Sequence, residues 1–231
     1  MQQPKRVLVV DDENSMVEII RYALEDAGYS VAEAGDADEA CQRMTEFHPD
    51  LMILDVMMPG RSGLEFCKEL REESDIPVIM LSARAEEIDK VLGFELGADD
   101  YVTKPFSPRE LISRVRAHLR RSAIDARERN GSSIVVGELC LDTDTHEAYL
   151  RGEPVHLTRS EFQILILLAR HLGKTYSRSA ILNCLWHGGF VGDERAIDVH
   201  VHNIREKIEL IPAQPEYLLT VRGVGYRLRE P

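Results

Sequence analysis

Through the first half of the chain, short apolar runs alternate with stretches of helical spacing. Arg6 to Val10 runs apolar into Asp11-Asp12-Glu13, and Met16, Ile19, Ile20 and Ala23 then fall at helical intervals before Gly28. The same alternation predicts strands at 6–10, 30–34, 51–54, 77–81 and 101–103, with helices near 14–27, 37–47, 64–71, 86–96 and 108–120. Repeated strand-helix units imply a doubly wound parallel sheet with right-handed crossovers and helices on both faces. Leu51-Met52-Ile53-Leu54 has no polar position and is closed by Asp55 and a Pro59-Gly60 turn, so it reads as a strand buried on both faces.

Beyond Arg120 the pattern changes. Residues 121–133 are polar and end in Asn130-Gly131-Ser132-Ser133, the composition of an exposed linker between a domain at 1–120 and another at 134–231. Short alternating segments follow at 134–136, 139–141, 148–150 and 155–157, with Arg151-Gly152-Glu153 as a tight turn. Thr158-Arg159-Ser160-Glu161 has the form of a capping box before an apolar helix, Phe162 to Leu172. A second helix is predicted from near Ser177 to about Trp186, and a third from Arg195 to Glu209, whose Ile197, Val201, Ile204 and Ile208 form one apolar stripe. Residues 217–221 and 226–228 flank Arg222-Gly223-Val224-Gly225 as a closing hairpin. Helix, turn, helix and hairpin make a winged DNA-binding unit, the third helix suited to the major groove and the hairpin to the minor groove.

Charge sharpens this division. Of the net −12, residues 1–120 account for −11 (14 basic against 25 acidic) and residues 121–231 for −1 (14 against 15). The acidic half suits a divalent cation, and only the second half suits a polyanion. Four scattered cysteines without a C-x-x-C pair suggest neither a disulfide framework nor a zinc site. The longest largely apolar run, 162–169, is too short to span a bilayer, and the N-terminus has no signal-peptide pattern, so a cytoplasmic protein is expected.

The predicted parallel sheet brings its strand ends to one edge: Asp11-Asp12 after the first, Asp55 after the third, Ser82 after the fourth, Lys104-Pro105 after the fifth. Three crowded carboxylates stay ionised only when a cation joins them, and hard oxygen donors favour Mg²⁺. A hydroxyl and an ammonium on neighbouring strands suit the oxygens of a phosphoryl group.

On Asp11-Asp12, Asp55 with Met58-Pro59-Gly60, Ser82-Ala83, and Tyr101 with Lys104-Pro105-Phe106, residues 1–120 resemble a two-component receiver domain with a flavodoxin-like (βα)5 fold. The resemblance implies that Asp55 accepts a phosphoryl group from a sensor histidine kinase. It implies that Asp12, Asp55 and the Met57 carbonyl hold Mg²⁺, with Asp11 assisting through water. Lys104 would pair with the phosphoryl oxygens, Ser82 would move to bond to them, and Tyr101 would turn inward. In receivers of this kind a symmetric dimer forms, which implies contacts of Lys90 with Glu110, Asp100 with Arg114, and Asp99 with Arg121 across a two-fold axis.

Residues 134–229 resemble the winged-helix output domain of OmpR/PhoB-type regulators, on Leu157-Thr158 with Glu161-Phe162, Arg195 with Asp198-Val199-His200, and Thr220 through Arg227. By that resemblance Trp186 and Arg205 contact phosphates, Val199 a thymine methyl and Arg222 the minor groove, with Arg195, His202, Asn203 and Thr220 beside them. RNA polymerase and double-stranded DNA with repeated half-sites are the implied partners. Where many relatives carry two arginines on the recognition helix, this chain has His202 and Asn203. Asn bonds bidentately to adenine and Arg to guanine, so an adenine preference and a shallower salt dependence are expected. An aspartyl-phosphate hydrolase would need a second acid two residues after Asp55; that place is Met57, so no enzyme is expected. The alternative is a phosphorylation-independent regulator whose receiver only dimerises.

Overall fold

The computed structural model describes residues 3–83, 93–125, 133–186 and 194–230; the side chains of 120–125 and 186 lie outside that description. The chain forms two compact units, Met1–Arg120 and Arg121–Pro231.

In the first unit, β1 (Arg6–Val10), β2 (Ser30–Ala34), β3 (Leu51–Asp55), β4 (Val78–Ser82) and β5 (Asp100–Thr103) pair in parallel in the order β2-β1-β3-β4-β5. The register is continuous: Val9 lies beside Ile53, Ile53 beside Ile79 and Leu81 beside Val102. Strand alternation sends Val7, Val9, Leu51, Ile53, Ile79 and Leu81 into one core, where Val17, Ile20 and Leu24 of helix Asn14–Asp26 and Leu111 and Val115 of helix Pro108–Asp125 cover them. Leu8, Val10, Met52, Leu54 and Met80 point the other way and are also fully buried. Two-sided burial explains why these strands read as unbroken apolar runs.

Helices Ala37–Phe47 and Gly63–Glu73 begin with side-chain caps. Asp36 accepts from the Glu39 amide, and Ser62 and Glu65 form a reciprocal capping box. The expected helix at 86–96 lies mostly outside the described residues, and Lys90 with it. The helix expected to stop at 120 runs on to Asp125, into the segment read as linker. Arg121 to Asp125 contain neither Gly nor Pro, so nothing local ends the helix at 120.

The second unit opens with an antiparallel sheet of β6 (Ser133–Val136), β7 (Leu139–Asp142), β8 (Glu147–Leu150) and β9 (Glu153–Val155). The fourth strand lies two residues earlier than the alternation suggested. Arg151 and Gly152 both take positive φ (57° and 86°), a two-residue hairpin loop that sets Glu153 opposite Leu150. The capped helix is also shifted, to Arg159–Ala169, because Thr158 and Glu161 complete their capping box and start it at Arg159. Helices Arg178–Trp186 and Arg195–Ile208 follow, then β11 (Leu218–Val221) and β12 (Gly225–Leu228).

A strand that the alternation did not predict, β10 (Tyr176–Ser177), pairs with β12 and joins the hairpin to the start of helix Arg178–Trp186. A Cβ on Gly225 would overlap the Tyr176 carbonyl oxygen, so only glycine permits that pairing. The core of this unit gathers Leu139 and Leu141 of the first sheet, Phe162, Leu165 and Leu168, Ile181 and Leu185, the stripe Ile197, Val201, Ile204 and Ile208, and Leu218, Tyr226 and Leu228 of the hairpin.

Candidate functional site

The strand order reverses between β1 and β3, and in open α/β sheets the crevice at that reversal is where ligands bind. Asp11 and Asp55 sit there, at the carboxyl ends of those two strands, almost fully buried. The Lys104 ammonium, just past β5, reaches between them: its Nζ lies 2.7 Å from Asp11 Oδ2 and 2.8 Å from Asp55 Oδ1. The second oxygen of Asp55 accepts from the Met57 amide (3.1 Å), and Asp11 Oδ1 accepts from the Glu13 amide (3.0 Å). Asp12 is exposed, and one carboxylate oxygen from each of Asp11, Asp12 and Asp55 falls within 4.8 Å of the others, an arrangement able to hold a metal ion.

Backbone packing holds this pocket. The Val56 amide bonds to the Leu81 carbonyl (2.8 Å), the Lys104 amide to the Ser82 carbonyl (2.7 Å), and the Gly63 amide to the Val56 carbonyl (3.1 Å). A Cβ on Gly63 would overlap the Asp55 carbonyl oxygen, so the close seating of helix Gly63–Glu73 against the Asp55 backbone requires glycine. Ser82 is buried at the end of β4, and the Tyr101 ring is buried in β5 beside Gly93 and Met80.

The electrostatics follow from three acids sharing one base. Burial raises the Asp55 pKa, and Lys104 and the Met57 amide only partly oppose it while Asp11 adds to it. Burial alone would lower the Lys104 ammonium, but its hydrogen bonds and attraction to Asp11 and Asp55 outweigh burial and raise it. Among the described residues the cluster sets three carboxyl groups against one ammonium, a donor set that suits a hard divalent cation.

In the second unit, helix Arg195–Ile208 keeps Ile197, Val201, Ile204 and Ile208 in the core and leaves His202 exposed and Asn203 half-buried. Val199 is 8% exposed, so only an edge of its side chain reaches the surface. Arg195, Thr220 and Arg222 are exposed. The Arg205 guanidinium is directed into the fold: Nε and Nη2 donate to the Leu218 carbonyl (3.0 and 2.6 Å), and Nη2 also to Thr220 Oγ1 (2.8 Å). The side chain of Trp186 lies outside the described residues.

Comparison with known proteins agrees with both units. The family described as "Response regulator receiver domain" matches residues 7–116, and "Transcriptional regulatory protein, C terminal" matches residues 152–228. The chain is 47% identical over 234 residues to the alkaline phosphatase synthesis transcriptional regulatory protein PhoP of Bacillus subtilis, covering 98% of each. Among solved structures, the Thermotoga maritima OmpR/PhoB homologue DrrB is 32% identical, with 98% of this chain and 99% of that one covered at a TM-score of 0.52. The chain belongs to the OmpR/PhoB family of response regulators. It is a phosphorylation-regulated, DNA-binding regulator of transcription. A mutant of RitR, 24% identical and covering 98% of this chain and 100% of its own, shares the fold at a TM-score of 0.80.

In this OmpR/PhoB regulator the residues expected at a dimer face meet partners within their own chain. Arg114 Nη1 donates to both Asp100 oxygens (2.9 and 3.1 Å), and Arg114 also holds Glu110 at 2.8 Å. His118 Nε2 lies 3.5 Å from Asp100. Asp99 is engaged by Arg71 at 2.8 Å and by the Val78 amide at 3.0 Å. The side chain of Arg121 lies outside the described residues. Sequence reasoning missed Arg71, whose signal was weak: one basic residue among the acids at the end of an amphipathic helix. It also missed Arg178, which stands at the first position of its helix, directly after Ser177.

Proposed function

We propose that Asp55 is the phosphoacceptor of a receiver at 1–120, and that its modification controls a winged-helix domain at 134–231 through the connecting segment 121–133. The observation that carries this reading is the seating of Asp55 at the strand-order reversal, with one oxygen facing Lys104 and the other held by the Met57 amide. Asp12, Asp55 and the Met57 carbonyl would hold Mg²⁺, with Asp11 assisting through water; bound there, the ion supplies charge neutralisation for the oxygens of a transferring phosphoryl group.

The chain's own residues do the rest. A carboxylate oxygen of Asp55 attacks phosphorus, the phosphorus–nitrogen bond to the histidine of a sensor kinase breaks, and an acyl phosphate forms. Lys104 turns its ammonium from the Asp55 carboxylate to the phosphoryl oxygens. Ser82, at the end of the adjacent strand, donates its hydroxyl to the same group, and Tyr101 keeps its ring buried alongside. The rebuilt face around β5 and helix Pro108–Asp125 then pairs Lys90 with Glu110, Asp100 with Arg114 and Asp99 with Arg121 between two copies. That exchange replaces the in-chain pairs of Asp99, Asp100 and Arg114.

Two joined output domains would occupy repeated half-sites in double-stranded DNA and meet RNA polymerase in the cytoplasm. Arg195, Val199, His202, Asn203 and Thr220 line the recognition surface, Trp186 flanks it, and Arg222 at the hairpin tip enters the minor groove. The chain acts as a switch rather than as an enzyme on a separate substrate. DNA affinity and oligomeric state, measured with and without a small phosphodonor and Mg²⁺, test the proposal. Treatment should dimerise the wild type and tighten binding while leaving Asp55→Ala unchanged. An equal response from both proteins would overturn Asp55 as the acceptor, and a dimer that binds DNA alike with and without treatment would support the receiver as a constitutive dimerisation module.

A further inference from the structure

The hairpin and the recognition helix are fastened together by two arginines that grip one tyrosine. Arg178, at the start of its helix, donates from Nε to Asp198 Oδ1 (2.5 Å) and from Nη2 to the Tyr226 hydroxyl (3.1 Å). The Tyr226 hydroxyl donates in turn to the same Asp198 oxygen (2.6 Å), closing a triangle between helix Arg178–Trp186, the first turn of the recognition helix and β12. The guanidinium carbons of Arg178 and Arg205 stand 5.0 and 5.9 Å from the Tyr226 ring centroid, within cation–π range. Arg205, about two turns further along the recognition helix, binds the Leu218 carbonyl and Thr220, so it ties the same helix to the neighbouring strand β11.

The charges inside this cluster answer one another. Burial and the bond to Asp198 push the Tyr226 phenol up to about 12, so it remains a donor at any physiological pH. The bond to Asp198 raises the Arg178 pKa, whereas burial lowers that of Arg205. Asp198 is an acid on the element expected to enter a polyanionic groove, and Arg178 neutralises it there. Both guanidiniums are therefore committed within the fold, at the junction of two elements that must keep a fixed spacing to reach adjacent grooves.

We infer that Arg178 and Arg205 are positioning residues that, with Tyr226 and Asp198, lock the hairpin to the recognition helix as one rigid reading head, and that neither arginine is a phosphate contact. This rests on the reading of Arg195–Ile208 as the recognition helix. It departs from the phosphate role that family resemblance implies for Arg205.

The two roles differ in their salt dependence. A lost phosphate contact lowers the slope of log K against log[salt] by about 0.9. A lost positioning contact weakens specific binding and leaves the slope alone. The experiment uses the full chain and a duplex selected by the wild type from a randomised pool, with a scrambled duplex as the non-specific reference. Arg178→Ala, Asp198→Asn, Tyr226→Phe and Arg205→Gln are compared over a salt series, with thermal unfolding as the check on folding; Arg205→Gln removes the charge that a phosphate contact would need.

The expected result is a loss of about tenfold in specific affinity for all four. Slopes and non-specific affinity should stay unchanged. Asp198→Asn is decisive, because removing an acid from a DNA-facing helix tightens binding if charge alone matters and weakens it if geometry does. Tyr226→Phe keeps the ring and carries no charge, so its loss cannot come from electrostatic attraction to DNA. Asn203→Ala checks the underlying reading: it should relax base preference at one position, and failure there overturns both conclusions. With that control intact, tighter binding by Asp198→Asn, or a slope reduced by about 0.9 in either arginine variant, overturns the positioning role alone.

Discussion

Replacing Lys104 by glutamine removes the cation that bridges Asp11 and Asp55, in a pocket where the side chains of Asp11, Asp55 and Lys104 are only 0%, 5% and 15% exposed. Breaking a buried pair by deleting one partner commonly costs about 3–5 kcal/mol, because the remaining charge is stranded. Here protonation sets a ceiling. Neutralising one carboxyl of ordinary pKa near 3.9 at pH 7 costs about 4 kcal/mol, and at pH 5 about 1.5 kcal/mol. The loss should therefore be about 3 kcal/mol at pH 7 and no more than about 1.5 kcal/mol at pH 5. Burial already raises Asp55 in the folded state, and without Lys104 it rises further. The native state then binds more protons than the unfolded one, so the variant gains stability relative to wild type as pH falls from 7 toward 4.

Far-UV circular dichroism during urea unfolding measures this. The single tryptophan, Trp186, belongs to the second unit, so its fluorescence reports that unit and serves as the internal control. Millimolar Mg²⁺ should restore much of the lost stability, since a cation again faces the acids. A Lys104→Gln loss below about 1 kcal/mol, equal at both pH values and indifferent to Mg²⁺, would refute a coupled buried charge cluster at this site.

Other perturbations have equally definite outcomes. Arg114→Ala strands Asp100, which is 1% exposed, and should cost the first unit about 3 kcal/mol in the same urea assay. Thr158→Ala removes a buried cap and should cost the second unit about 1 kcal/mol, read by tryptophan fluorescence, with Thr158→Ser restoring most of it. Gly225→Ala sets a Cβ against the Tyr176 carbonyl and should separate β10 from β12, seen as faster amide exchange at both strands and weaker DNA binding.

Much of this was legible in the sequence because β1, β3 and β4 are apolar on both faces and the first unit's helices are amphipathic. Length and burial therefore separated them without knowledge of pairing, and β1, β2 and helix 37–47 lie at their expected bounds. Strand-end chemistry was legible for a related reason: a parallel sheet sends every strand end to the same edge, so Asp11, Asp55 and Lys104 converge once the order is known.

What escaped was set by tertiary partners. β10 is two residues long and exists only because Gly225 lets β12 approach. The contact of Asp100 with Arg114 inside one chain also escaped, because it forms only once the second turn of the helix after β5 packs back on the start of that strand. Arg178 showed no pattern in sequence, since its partners Asp198 and Tyr226 lie 20 and 48 residues away.

The most direct test of the switch is intact mass after incubation with Mg²⁺ and a small phosphodonor, for wild type, Asp55→Ala and Asp12→Ala. One added phosphoryl group on the wild type, none on Asp55→Ala and a much reduced yield on Asp12→Ala is the predicted result. An adduct on Asp55→Ala equal to that on wild type, or none on any of the three with any small donor or partner kinase, would contradict Asp55 as the phosphoacceptor.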